Sequence, residues 1–157
     1  MAKKSKAASK PKITNTMKLD DQICFSLYLA AKTMTQVYQP VLKPFDLTYP
    51  QYIALLVLWE RDGISVKDLG ERLHLDSGTL SPLLKKLEAR GLIERARDPD
   101  DERSVTLVVT QDGHALKRKL QPELDAMACA LPVQASELKS LREAANAFTR
   151  LLLSGEE

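Results

Sequence analysis

Cys24 and Cys129 are the two thiols of the chain, 105 positions apart, and the only other soft ligands are His74 and His114. No CxxC or comparable spacing joins them, so a metal site is not expected. A permanent disulfide is not expected in a reducing cytosol either, which leaves the thiols as inert packing or as redox-active groups. Cys24 follows Asp20, a residue able to cap a helix, by four positions. Closeness to a helix N-terminus favours a reactive thiolate, although Asp20 and Asp21 oppose it. Tyr28 stands one turn further on and can touch Cys24. Tyr38 is fourteen residues on, roughly 21 Å along a helix axis, out of reach of the thiol in its own chain. If any phenol beyond Tyr28 hydrogen-bonds this thiolate, it must come from a second subunit, whose Tyr38 and Tyr49 a crossing first helix would bring close. A free cysteine on a mainly apolar face is more often small hydrophobic filler. The residues alone leave both readings open.

A second group of side chains suits nucleic acid. Ser77, Thr79 and Ser81 are short polar residues at the start of one helix, and Lys85, Lys86 and Arg90 are cations further along it. The first kind can approach base edges in a major groove and the second can meet phosphates. Taken alone, such a helix is equally an ordinary solvated face. Arg95, Arg97 and Arg103 then cluster around an otherwise acidic loop, and a hairpin bearing arginines fits a minor groove. Asp101 and Arg103, two apart, share a face on a strand and can brace each other.

The elements that must position these groups follow from periodicity and punctuation. Apolar residues at Ile23, Leu27, Ala31, Met34, Val37 and Val41 predict a long first helix capped by Asp20, kinked by Pro40 and ended before Pro44. Thr48 and Pro50 open a second helix through Trp59, apolar on nearly every side and so buried. Ser65 caps a short helix over 66–75, and Asp76-Ser77-Gly78 reads as a turn. The next helix runs to about Arg90 and stops at Gly91. Pro82 fits its first turn if Thr79 is the cap, and otherwise kinks its start. Strands over 93–96 and 105–109 flank the hairpin loop Asp98-Pro99-Asp100-Asp101. Short helix, turn, helix and hairpin is the order of a winged helix-turn-helix. A helix from about Asp112 to Cys129 should be broken or bent at Pro122 and end at Pro132. The last one carries Leu138, Leu141, Ala145, Phe148 and Leu152 in a 3-4-3-4 pattern. Such a seam suits packing on the chain's own first helix or on a second subunit. The dimer is the expected outcome, because two apolar terminal helices around a small wing exceed what one lobe can cover.

Composition narrows the classes. A chain of 157 residues with 44% hydrophobic and 28% charged residues suits one globular domain. The longest apolar run, over 53–59, is far short of the about 20 residues of a membrane span, and no secretory signal follows the lysines at the start. Neither a membrane partner nor export is expected, and a cytoplasmic location is. Five lysines fall within residues 1–12, leaving 18 basic against 21 acidic residues elsewhere, so net charge alone does not announce DNA. The basic tail is a solvated end or an arm touching phosphates.

The run from Asp101 through Arg103, Leu107 and Thr110 to Gly113 resembles the wing signature of the MarR family of regulators. The stretch 75–85, LDSGTLSPLLK, resembles the recognition helix of its organic hydroperoxide resistance branch, and Thr48-Tyr49-Pro50-Gln51-Tyr52 is a third matching block. The likeness extends from Leu19 over nearly the whole chain. It implies a mainly α fold with a small β-hairpin wing, a homodimer joined by its terminal helices, and a repressor on pseudo-palindromic double-stranded operator DNA. It also implies a tail over 1–17, a single domain over 18–157 with dimerisation helices at 18–47 and 112–157, and a DNA-binding lobe over 48–111. In that branch the cysteine matched by Cys24 is oxidised by an organic hydroperoxide while tyrosines matching Tyr38 and Tyr49 of the other subunit hold it. Cys129 resembles the resolving cysteine of the two-cysteine type, which would close an intersubunit disulfide and release DNA. No cofactor and no enzymatic turnover are implied. Two rivals remain: a regulator of this fold released by a small phenolic or lipophilic ligand, with inert cysteines, and a thiol peroxidase, for which no recycling motif is present.

Overall fold

The computed structural model describes residues 16–97 and 105–154, with Arg97 described by its backbone alone. The chain divides into two compact units, Met1–Gln36 and Val37–Glu157.

In the first unit, Leu19–Asp21 forms a 3₁₀ turn, and helix α1, Ile23–Leu42, begins after it and continues past the unit boundary. Asp20 therefore does not cap α1. It is spent in the preceding turn, where Asp21 accepts the Thr16 hydroxyl at 2.5 Å and the Gln22 amide donates to the Lys18 carbonyl at 3.2 Å. Cys24 is consequently the second residue of α1. Ile23, Leu27, Tyr28 and Leu29 are all exposed in this unit.

The second unit holds the core. Pro40 lies inside α1, which reaches Leu42 before a 3₁₀ turn at Lys43–Phe45 and a left-handed Asp46. Helix α2, Tyr49–Glu60, starts at a capping box: the Gln51 amide N–H donates to the Thr48 hydroxyl, and the Thr48 N–H donates to Gln51 Oε1 at 2.9 Å. Its Ala54, Leu55 and Leu58 are fully buried, as its apolar sequence predicts. Ser65 caps α3, Val66–Leu73, which ends two residues earlier than expected because His74 turns left-handed. Helix α4 runs Ser77–Ala89. Gly91, at φ 64°, closes it with Leu92 N–H on the Leu87 carbonyl, a Schellman ending.

The wing is broader than a hairpin. Strand β1, Ile64–Ser65, joins β2, Ile93–Arg97, and β3, Val105–Val109, in an antiparallel sheet of order β1-β3-β2. Ile64 pairs with Leu107 and Arg95 pairs with the same residue from the other side. A two-residue strand carries no alternation long enough to be read from sequence. Thr110 caps α5, Gln111–Ala130, which passes through Pro122 without interruption, so the expected break there is absent. Helix α6, Ala135–Leu153, contains no buried residue, and Leu141, Phe148 and Leu152 stand open to solvent.

Leu55, Leu58, Leu69, Leu80, Leu84, Leu87, Ile93, Leu107 and Leu120 form one core joining α2, α3, α4, the sheet and α5. Burying a leucine contributes roughly 1.5–3 kcal/mol. This core is what holds α4 by one face while its other face stays wet.

Candidate functional site

Asp76, not Thr79, caps α4: its carboxylate accepts the Thr79 N–H at 2.9 Å and the Thr79 hydroxyl at 2.9 Å. These bonds hold the Asp76 carboxyl below its ordinary range, the Thr79 backbone bond first. The cap moves the helix start three residues earlier than the Pro82 argument allowed. Pro82 lies in the second turn, where it has no N–H for the Gly78 carbonyl. Ser77, Thr79, Lys85 and Lys86 are exposed and Ser81 is half-buried, opposite the buried Leu80, Leu83, Leu84 and Leu87. The arrangement offers a short-polar start followed by two exposed cations on one solvated face.

Arg90 departs from that face. Its guanidinium donates to the Phe45 carbonyl at 2.7 Å and the Asp46 carbonyl at 2.5 Å, and its Nε lies 3.8 Å from the Asp46 carboxylate. It is therefore a structural group and not one of the cations presented beside Lys85 and Lys86. Arg95 shares its strand face with the buried Ile93, so it points back at α4 and pairs with Glu88 at 3.2 Å. That ion pair links the wing to the helix. Arg97 pairs through its backbone with Val105; its side chain, Asp101 and Arg103 lie outside the described residues.

The phenols separate into two settings. Tyr28 is exposed, with the Lys32 ammonium 5.8 Å from its ring centre. Tyr38 and Tyr49 are in the second unit, in an edge-to-face contact with ring centres 5.2 Å apart, and Tyr52 stacks behind both at 5.7 and 6.2 Å. Burial, and then the neighbouring Tyr49, push the Tyr38 phenol up. Burial, then Tyr38, then Tyr49, push Tyr52 up to about 12. Tyr38 and Tyr52 therefore stay protonated donors at neutral pH. Tyr52 was not expected in the cluster. The signal was its i, i+3 spacing from Tyr49, which places both on one face of α2.

Tyr38 and Tyr52 also line a cavity of about 300 Å³ with Trp59, Leu120, Leu124 and, at its rim, Lys117. Cys24 and Cys129 are both exposed, unbonded thiols. Among the described residues no group of His, Cys, Asp and Glu is placed to hold a metal ion, and no helix is long and apolar enough to cross a membrane.

Comparison with known proteins places this geometry. Residues 36–120 match the family of the transcriptional regulator SarA/Rot. The organic hydroperoxide resistance transcriptional regulator of Bacillus subtilis is 48% identical over 129 residues, covering 82% of this chain and 87% of that protein. Among solved structures, reduced AbfR bound to DNA superposes with a TM-score of 0.78 at 32% identity, over 90% of this chain and 96% of that one; AbfR is a protein of Staphylococcus epidermidis. A disulfide-formed AbfR superposes with a TM-score of 0.64 at 32% identity, over 87% and 93% of the two chains. With this likeness over most of its length, the chain belongs to the MarR-type winged-helix transcriptional regulators, in the branch of the organic hydroperoxide resistance regulators.

Proposed function

We propose that the protein is a homodimeric repressor that binds a pseudo-palindromic operator through α4 and the wing, and releases it when Cys24 is oxidised by an organic hydroperoxide. The observation that carries this reading is the pairing of Tyr38 with Tyr49: two half-buried phenols held 5.2 Å apart are a ready donor pair for a thiolate. The Bacillus subtilis relative is an organic hydroperoxide resistance regulator, and AbfR is known both reduced on DNA and with a disulfide formed. In the dimer, residues 18–47 and 112–157 supply the contact between subunits and 48–111 the DNA-binding lobe. The exposed apolar residues of α1 and α6 support that division. Its place of action is the cytoplasm, with the DNA.

The chemistry balances without a cofactor. The Cys24 thiolate attacks one peroxide oxygen, the O–O bond breaks, and the leaving alkoxide takes a proton to become an alcohol. Cys24 is left as a sulfenic acid. The Cys129 thiol of the other subunit then attacks that sulfur, an S–S bond forms, and the S–O bond breaks with loss of water. Two thiols are oxidised by two electrons and one hydroperoxide is reduced. Joining the subunits in this way re-spaces the two α4 helices, which must sit about one DNA turn apart to bind together.

The test is a gel-shift titration with cumene hydroperoxide, together with non-reducing gels. Wild type loses DNA and gains a dimer-sized band. Cys24→Ser binds DNA and does neither, and Cys129→Ser forms a sulfenic acid without the band. Release of oxidised Cys24→Ser, or an oxidised wild type without the band, overturns the two-cysteine mechanism. Peroxide consumption beyond one equivalent per subunit would instead mark a peroxidase.

The cavity beside Tyr38 supports a second reading, in which a small phenolic or lipophilic ligand releases DNA and the cysteines are inert. Release by an aromatic acid under reducing conditions, with no response to hydroperoxide, would favour it.

A further inference from the structure

Arg90 occupies the C-cap of α4, and its two terminal nitrogens reach back 44 and 45 positions to the carbonyls of Asp46 and Phe45. Those carbonyls close the 3₁₀ turn Lys43–Phe45, in which the last acceptors have no partner of their own. The turn continues directly from α1, whose Leu42 is 1% exposed in the core and accepts the Leu47 N–H at 3.1 Å. A planar guanidinium making two bonds fixes direction as well as distance, which a lysine ammonium cannot do. The Asp46 carboxylate 3.8 Å from Nε occupies the remaining edge of the fork.

Leu80, Leu84 and Leu87 hold α4 against the core by one face, and apolar contact does not resist sliding or tilting. The polar residues facing outward, Ser77 and Thr79, are at the opposite end of a helix about 20 Å long, so a small tilt at Arg90 becomes a displacement of ångströms at the reading end. Base-edge hydrogen bonds do not survive such a displacement, whereas contacts of flexible lysines with phosphates do.

We propose that Arg90 is a positioning residue for operator recognition: its grip on Phe45 and Asp46 ties α4 to the turn that ends α1, and so sets the pose in which α4 reads bases. This rests on the DNA-binding reading above. It assigns Arg90 no contact with DNA.

The experiment uses the full-length protein and a duplex enriched from a random-sequence pool by wild type, with a scrambled duplex of equal length beside it. Affinity for both is measured across a salt series for wild type, Arg90→Ala and Arg90→Lys. Both variants should lose roughly tenfold for the enriched duplex, a loss of the size of one mismatched base pair. Binding of the scrambled duplex and the salt slope should stay as in wild type. A phosphate contact would instead lower both affinities alike, reduce the slope by about one, and be restored by lysine. Any of these, or unchanged binding of the enriched duplex, overturns the proposal. Arg90→Lys keeps the stem and the charge at the helix end, and decides the matter should the alanine variant not fold. Enrichment of no sequence by wild type would sink the DNA-binding reading itself, and the proposal with it.

Discussion

Trp59 donates its indole N–H to the Gly113 carbonyl at 3.2 Å, tying the end of α2 to the first turn of α5 across 54 positions of sequence. The same glycine approaches the loop between α4 and β2 so closely that an added Cβ would lie 2.3 Å from the Leu92 carbonyl oxygen and 2.7 Å from Val109 Cγ1. One residue thus serves as the junction of α2, α5 and the wing.

Gly113→Ala should accordingly destabilise the fold by about 1–3 kcal/mol, the cost of forcing backbone apart in a packed site. Urea unfolding of the two proteins measures it. Trp59→Phe, which loses only the hydrogen bond and part of the ring, should cost about 1 kcal/mol. Equal stability of Gly113→Ala and wild type would contradict the close approach.

Tyr52 gives the alkaline limb of stability a predictable sign. Its folded-state value is raised to about 12, against ~10 for an unfolded tyrosine. The folded state then holds its proton where the unfolded state has lost one. Its contribution is whole below pH ~10 and is lost as pH climbs toward 12. Tyr52→Phe should therefore flatten the fall of the urea midpoint across that window. A variant whose midpoint falls as steeply as wild type would assign the loss to other groups.

The open face of α6 predicts the fate of the dimer. Leu141→Glu combined with Phe148→Glu places charge where two apolar side chains, 60% and 39% exposed in the isolated chain, should meet a partner. Sedimentation at micromolar concentration should show a dimer for wild type and a monomer for the variant. A variant that remains dimeric would move the interface elsewhere.

Lys85 and Lys86 are exposed and appear in none of the ion pairs among the described residues. If each meets a phosphate, the double alanine variant should bind all duplexes more weakly and lower the slope of log affinity against log salt by about two. This is the opposite pattern from that expected of Arg90. An unchanged slope would remove both lysines from the interface.

What could be read from the sequence was what depends on neighbours three or four positions apart. The Thr48 and Ser65 caps, the stop at Gly91 and the apolar stripe of α4 are local, because a helix brings i and i+4 together whatever surrounds it. The winged-helix order, the family and the exposed polar start of α4 follow from those. Three things waited for the tertiary structure. Strand β1 exists only because Ile64 and Ser65 meet Leu107 and Thr106, more than forty positions away. Tyr52 joins Tyr38 only through the packing of α2 on the end of α1. Arg90 looked like one more cation of a basic helix, and whether a cation faces solvent or a carbonyl depends on which backbone the fold brings to it; here that backbone is Phe45 and Asp46. Periodicity records which face of a helix is buried, and it does not record what waits at the helix's end.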